Sequence, residues 1–316
     1  MKIVFMGTPD FAVPSLEILF QNNIEIAAVI TSPDKPSGRG LHLNESPIKI
    51  FAKSVGLKVL QPENLKDPEF LSVLSNLGAD LQIVVAFRML PESIWNMPPK
   101  GTINLHASLL PQYRGAAPIQ RAIMNGETET GLTTFCLRHE IDTGQIIFQE
   151  KISISDEEDA GILHHRMMLA GATLILKTFY AMESGKFNLQ DQAIKMGKGE
   201  TLKKADKIFR QDCRINWNIH AREIHNLIRA LSPSPGAWTE LVSGSKTQEV
   251  KIWKSNVNQE IHDYSPGKIF IHSGNIVTVA TKTGFLQINE LQLAGKRKMN
   301  STEFLKGYPL EISSFI

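Results

Sequence analysis

The sequence predicts an α/β chain: a Rossmann-like, doubly wound parallel sheet, followed by a small antiparallel β-barrel of OB-like type. Three observations carry this. Short apolar runs alternate with amphipathic segments through the first two thirds of the chain. Beyond about residue 207 the runs become short, alternating and separated by Gly and Asn turns. The length of 316 residues, 42% of them hydrophobic, is enough for two cores.

Lys2 to Met6 is an apolar run closed by Gly7-Thr8-Pro9-Asp10, an amphipathic stretch covers Phe11 to Phe20, and IEIAAVIT ends at Thr31. That order is strand, turn, helix, strand. Helices are predicted near Ser46–Val55 and Pro68–Leu77, with a short strand at Lys58–Leu60 and a buried parallel strand in LQIVVAF, residues 81–87. Helical spacing from Asp159 to Ser184, with a stop at Gly185, closes the first domain. Residues 188–206 are polar and lysine-rich and read as a linker. A helix over Ile219–Leu231 is broken by Ser232-Pro233-Ser234-Pro235-Gly236, and five short strand-like runs come after it. The domains expected are therefore 1–187, a linker at 188–206, and 207–316.

Charge divides at the same place. Residues 207–316 hold 14 Lys and Arg against 9 Asp and Glu; the chain totals of 34 and 32 leave 20 against 23 for the rest. A solvated surface explains such a bias on its own, and a polyanion groove is the functional alternative. Cys136 and Cys213 form no CxxC pair, which argues against a disulfide framework or thiolate metal site. The N-terminal apolar run is too short for a signal peptide and no stretch reaches the length of a membrane span. A soluble, cytoplasmic, monomeric protein is expected.

The most informative stretch is residues 101–123. Thr102 to His106 alternates as a strand, so Asn104 and His106 share one face. A buried sheet seldom presents an amide beside an imidazole, because each needs a partner. A satisfied polar pair at a strand end is the bland reading. The catalytic reading gains from the residues next in the chain: an irregular loop, Ser108 to Pro111, and a Gly115-Ala116-Ala117 segment that removes side-chain bulk. In residues 130–150 two strands flank a turn holding Asp142, whose ordinary role would be turn chemistry. Gly7 is the sole glycine before Gly38, against a dinucleotide phosphate loop. The segment Phe87-Arg88-Met89-Leu90 comes after a strand, beside the 108–111 loop, and is a candidate for ligand contacts. His164, His165, His220 and His225 lack metal spacing.

Together Asn104-Leu105-His106, Ser108-Leu109-Leu110-Pro111, Arg114-Gly115-Ala116-Ala117-Pro118 and Asp142-Thr143-Gly144 resemble the formyltetrahydrofolate-dependent formyltransferases. The opening Gly7-Thr8-Pro9-Asp10-Phe11, the loop Ser32 to Gly40 and the Ser232-Pro233…Pro235-Gly236 break resemble the branch that acts on initiator methionyl-tRNA. Leu137, Glu140 and Ser234 depart from the usual pattern, away from the chemistry. The resemblance implies 10-formyltetrahydrofolate as co-substrate, no metal, and Asn104, His106 and Asp142 as catalytic residues. It implies folate contacts from Ser108, Leu109, Leu110 and Pro111, with Phe87, Arg88, Met89 and Leu90 beside them. It implies initiator methionyl-tRNA as partner, held by Lys35, Arg39, Lys203, Lys204, Lys207 and Arg210.

The chemistry is consistent on its own terms. Formyl transfer to an amine develops an oxyanion, which Asn104 or a protonated His106 can stabilise, and needs proton transfers that His106 can carry. Asp142 can orient His106 or receive the proton through water. The rivals are a formyltransferase of amino-sugar nucleotides, a formyltetrahydrofolate hydrolase, a Rossmann-type oxidoreductase lacking its phosphate fingerprint, and a non-catalytic RNA-binding protein.

Overall fold

The computed structural model describes residues 1–37, 42–195, 201–308 and 313–316. They form two units. One holds Met1–Gly115, Glu129–Ser153 and His164–Lys204, the other Ala116–Thr128, Ile154–Leu163 and Ala205–Ile316. Segments 116–128 and 154–163 thus group with the C-terminal unit by contact. Long-range contact leaves no mark in local composition, which is why the boundaries read at 187 and 207 do not show this interleaving.

The first unit keeps the alternation of strands and helices read from the sequence. Strand β1 (Ile3–Gly7), helix α1 (Val13–Gln21) and strand β2 (Ile26–Ile30) open it, and the antiparallel pair β3 (Lys35–Ser37) and β4 (His42–Asn44) comes next. Helix α2 (Pro47–Ser54) is started by the Ser46 side chain, which accepts from the Lys49 N–H, and by Pro47 in its first turn. Then come β5 (Val59–Leu60), α3 (Pro68–Asn76) capped by Asp67, β6 (Leu81–Val85), the short α4 (Glu92–Trp95) and β7 (Thr102–His106). The two-residue β8 (Arg114–Gly115) and helix α5 (Pro118–Met124) precede β9 (Glu129–Cys136) and β10 (Ile146–Ser153).

The sheet order is β10-β9-β7-β6-β1-β2-β5. Strands β5, β2, β1, β6 and β7 run parallel, and β9 and β10 add an antiparallel edge. The tight turn read between β9 and β10 leaves no room for the crossover that parallel pairing requires, so this pair is antiparallel. From β1 the chain winds outward one way through β2 and β5, then the other way through β6 and β7. The switch point lies between β1 and β6, and ligands of such sheets bind at the carboxyl ends beside it. Leu105, on the face opposite His106, meets Gly171 of the 25-residue helix α6 (Ala160–Ser184), where an added Cβ would lie 2.8 Å from the leucine. Gly185 ends α6 with φ +69°.

Of the loop expected from Ser32 to Leu43, Lys35–Ser37 pair with His42–Asn44 as β3 and β4, and residues 38–41 lie outside those described. Cross-strand hydrogen bonds supply what weak single-strand propensity does not. At their base the Lys49 ammonium pairs with Asp34 and lies 3.0 Å from Glu45, and the Gln61 amide donates to Asp34 and to the Ser32 carbonyl. The bond from Lys49, and after it that from Gln61, holds the Asp34 carboxyl below the ordinary carboxylate range. Its contribution is therefore complete above that range and lost as pH falls through the lowered value.

The second unit carries β11 (Lys204–Ala205), whose second residue begins it, then α7 (Ala221–Ala230), β12 (Ala237–Ser243), β13 (Lys246–Asn258), β14 (Ile269–His272), β15 (Ile276–Ala280), β16 (Phe285–Leu293), β17 (Met299–Asn300), α8 (Ser301–Gly307) and β18 (Ser313–Phe315). The sheet order is β14-β15-β16-β13-β12-β18, with β17 on β16. All these pairings are antiparallel, and the sheet curls until Lys268, just before β14, bridges to Ser314 of β18. Ile224 and Ile228 of α7 join Val250, Ile252, Val279 and Ile288 in its core, where Trp217 stacks on Phe315. Among the described residues no helix is long and apolar enough to cross a membrane.

Candidate active site

The carboxyl end of β7 brings up the amide and imidazole read from the sequence. Asn104 is half-buried and His106 is buried, on the same face by period two. The His106 Nε2 lies 2.8 Å from the Tyr113 carbonyl oxygen. A carbonyl can only accept, so Nε2 carries a hydrogen, and the neutral ring keeps its lone pair on Nδ1. That free nitrogen faces Asp142, with 3.9 Å between Nδ1 and Oδ2. Among the described residues the Asn104 side-chain amide makes no hydrogen bond.

Asp142 sits in the β9–β10 turn at φ +54°, in the left-handed region that Asp tolerates better than most residues. Its Oδ2 accepts from the Gly115 N–H at 3.0 Å. It therefore does not orient His106 by a direct hydrogen bond; the Tyr113 carbonyl does that. The turn is closed by Gly144, where an added Cβ would stand 1.6 Å from the Cys136 carbonyl oxygen.

The 108–111 loop is held from inside. Ser108 Oγ donates to the Gln112 carbonyl, Thr133 Oγ1 donates to the Ser108 carbonyl, and the Leu110 N–H donates back to Thr133 Oγ1. Gln149 donates to the Leu110 carbonyl at 2.8 Å. Ser108, Leu110 and Pro111 are buried, and Leu109 packs on Gly131, so these side chains shape the loop rather than face outward. Leu137 packs both on Leu110 and on the cluster holding Phe87 and Leu90, joining the loops that leave β7 and β6. Of residues 87–90 only Met89 is well exposed, at 73%. Arg88 turns inward to the carbonyls of Pro62 and Glu63, and burial pushes its guanidinium below the usual arginine range.

Sequence reasoning missed four supports: the Tyr113 carbonyl, Thr133, Gln149 and Gln192. The first is a backbone atom and leaves no residue-type signal. The others lie far along the chain from what they hold.

The cationic candidates fall into separate places. Lys203 and Lys204 are exposed in the first unit, Lys207 and Arg210 in the second. Lys207 Nζ stands 5.5 Å over the exposed Phe209 ring. Arg210 lies over Trp238 and pairs with Glu249. Lys35 opens β3, and Arg39 lies outside the described residues. Among the described residues no three His, Cys, Asp or Glu side chains come together as a metal would need.

The formyl transferase family model matches residues 1–178, and the model of its C-terminal domain matches residues 207–309. The methionyl-tRNA formyltransferase of Parabacteroides distasonis is 50% identical over 310 residues, covering 98% of this chain and 96% of the relative. The chain belongs to the methionyl-tRNA formyltransferase family. The enzyme of that name from Azobacteroides pseudotrichonymphae is 52% identical over 313 residues, covering 97% and 95%. Among solved structures, a sugar 3N-formyl transferase, WlaRD, matches with TM-score 0.66 at 22% identity, covering 94% of this chain and 99% of that one. HypX from Aquifex aeolicus, solved with tetrahydrofolic acid, matches with TM-score 0.62 at 18% identity, covering 99% and 48%. At these identities the two structures speak for the fold.

Proposed function

We propose that this enzyme transfers the formyl group of 10-formyltetrahydrofolate to the amino group of initiator methionyl-tRNA in the cytoplasm. The observation that carries the chemistry is the half-buried Asn104 amide, without a hydrogen bond among the described residues, on the face of β7 it shares with an imidazole whose Nε2 is tied to Tyr113. The acceptor is argued from the names of relatives that match over nearly the whole chain.

The methionyl nitrogen attacks the formyl carbon, and the carbonyl electron pair moves onto oxygen. The Asn104 N–H donates to that oxyanion, a contact worth about 100- to 1000-fold in rate when placed in a site shielded from water. The attacking nitrogen passes a proton to His106 Nδ1, the one ring nitrogen with a lone pair. The Asp142 carboxylate, 3.9 Å away, offsets the imidazolium charge. Collapse of the adduct re-forms the carbonyl and breaks the bond to N10 of the folate, which takes up the proton. Pterin contacts come from the loops at 87–90 and 108–111, chiefly through backbone groups. Lys35 and Arg39 meet the acceptor end of the tRNA, and Lys203, Lys204, Lys207 and Arg210 meet its phosphates.

The purified enzyme, given 10-formyltetrahydrofolate, should formylate initiator methionyl-tRNA and leave free methionine and an amino-sugar nucleotide unchanged. Formylation of the sugar nucleotide in place of the tRNA would overturn the acceptor assignment. Binding of the tRNA should weaken steeply with salt, and removing one phosphate contact with Lys204→Ala or Lys207→Ala should flatten the log–log slope by about 0.7 to 0.9. An unchanged slope in both variants would remove these lysines from the interface.

A further inference from the structure

The segment between the two family matches does more than join them. Gln192, in a one-turn helix at Gln192–Lys195, is 2% exposed, although Ile194 two residues on is 81% exposed. Its amide nitrogen donates to the Asp142 carbonyl at 2.8 Å and to the Gly144 carbonyl at 2.8 Å. Its oxygen accepts from Arg114 Nε at 3.0 Å and Nη2 at 2.6 Å. Both hydrogens and both lone pairs of the amide are thus used. The three segments so tied are the turn that carries Asp142, the segment that donates the Gly115 N–H to the Asp142 carboxylate, and the linker itself. Nearby Gln190 makes two backbone hydrogen bonds with Ile146, just after that turn.

We infer that Gln192 is a positioning residue that fixes the Asp142 carboxylate opposite His106. This function of Gln192 rests on the role proposed for Asp142 in catalysis. A left-handed Asp in a turn has few local restraints of its own. Here the main chain immediately after the side chain is held at two carbonyls, those of residues 142 and 144, by a single buried amide. The same amide holds Arg114, so the Gly115 N–H arrives at the carboxylate in register with the turn. A residue that only filled space at this point would not need a donor pair aimed at two carbonyls and an acceptor aimed at a guanidinium.

Gln192→Glu separates these parts. It keeps an acceptor for Arg114, in fact a charged one, and replaces the donors to Asp142 and Gly144 with an oxygen that repels their carbonyls. Formylation of initiator methionyl-tRNA by the full-length protein should then fall about 10- to 100-fold in kcat, the scale of a reacting group displaced by an ångström, with both KM values held within about threefold. Asp142→Asn should be at least as impaired. Adding Gln192→Glu to Asp142→Asn should cost nothing further, because a residue that acts through another has no effect once the other is disabled. Rates are taken per folate-binding site, so unfolded protein does not count. If the glutamate variant loses folate binding altogether, Gln192→Ala, which removes the donors and the acceptor for Arg114 together without adding charge, is compared with Asp142→Asn in the same way.

Wild-type turnover in both variants, alongside an inactive Asp142→Asn, overturns the inference and leaves the role of Asp142 standing. So does a loss that multiplies fully in the double variant, or one confined to KM. An active Asp142→Asn overturns the role of Asp142 itself.

Discussion

Replacing His106 by alanine should lower kcat by about 100- to 10,000-fold, the range of a lost general acid or base. The side chain is buried with its Nε2 donating to Tyr113, so Nδ1 is the nitrogen left for proton transfer. Asn104→Ala should cost about 100- to 1000-fold, the range of a lost oxyanion donor. The Asn104 amide makes no hydrogen bond among the described residues, so its removal leaves no orphaned partner. Folate affinity should be kept in both variants, because neither side chain is placed among the pterin contacts. Single-turnover formylation with folate binding measured in parallel checks this. Turnover near wild type in either variant would remove that residue from the chemistry.

Gly144→Ala should combine a large loss of activity with a loss of stability. The added Cβ would stand 1.6 Å from the Cys136 carbonyl oxygen and 3.1 Å from the Phe135 ring. Neither is a flexible end that can swing away: one is strand backbone, the other a fully buried aromatic side chain. The turn must move, and it carries Asp142. Overpacking of this kind costs about 1–3 kcal/mol, which in a unit of this size lowers the melting temperature by roughly 3–10 °C. The activity loss should exceed what unfolding explains, by about 100-fold in kcat below the melting range, since the carboxylate is displaced from the imidazole. Asp142→Asn, by contrast, should melt close to wild type. A Gly144→Ala variant that melts lower but turns over normally would show that the turn can shift without disturbing the carboxylate.

The paired strands β3 and β4 show how far pattern reading reaches. Pro33, Pro36, Gly38 and Gly40 mark a break in regular structure, and a functional loop is a fair inference from them. That the two strands pair, with Asp34, Lys49, Glu45 and Gln61 knotted at the base, depends on residues up to 27 positions apart. In the site the same division appears. Asn104 and His106 are legible as a pair because a strand's period of two is a local property. Asp142 is legible by resemblance, while its distance from His106 and its bond to Gly115 are not. The side chains of Ser108 and Leu110, read as ligand contacts, face inward, because the loop is fastened by Thr133 and Gln149 from neighbouring strands.

By itself, then, the sequence determined the alternation of strands and helices, the stop of α6 at Gly185, and the shared face of Asn104 and His106. These come from backbone geometry and side-chain chemistry within a few residues. Only the tertiary structure decided that β9 runs antiparallel beside β7, that segments 116–128 and 154–163 join the C-terminal unit, and that a glutamine of the linker holds the turn of Asp142. Each of these is a pairing between groups distant in the chain. Hydrogen-bond partners of a buried amide or carbonyl are chosen by which groups the packed core leaves unsatisfied nearby, and that is set by the fold as a whole.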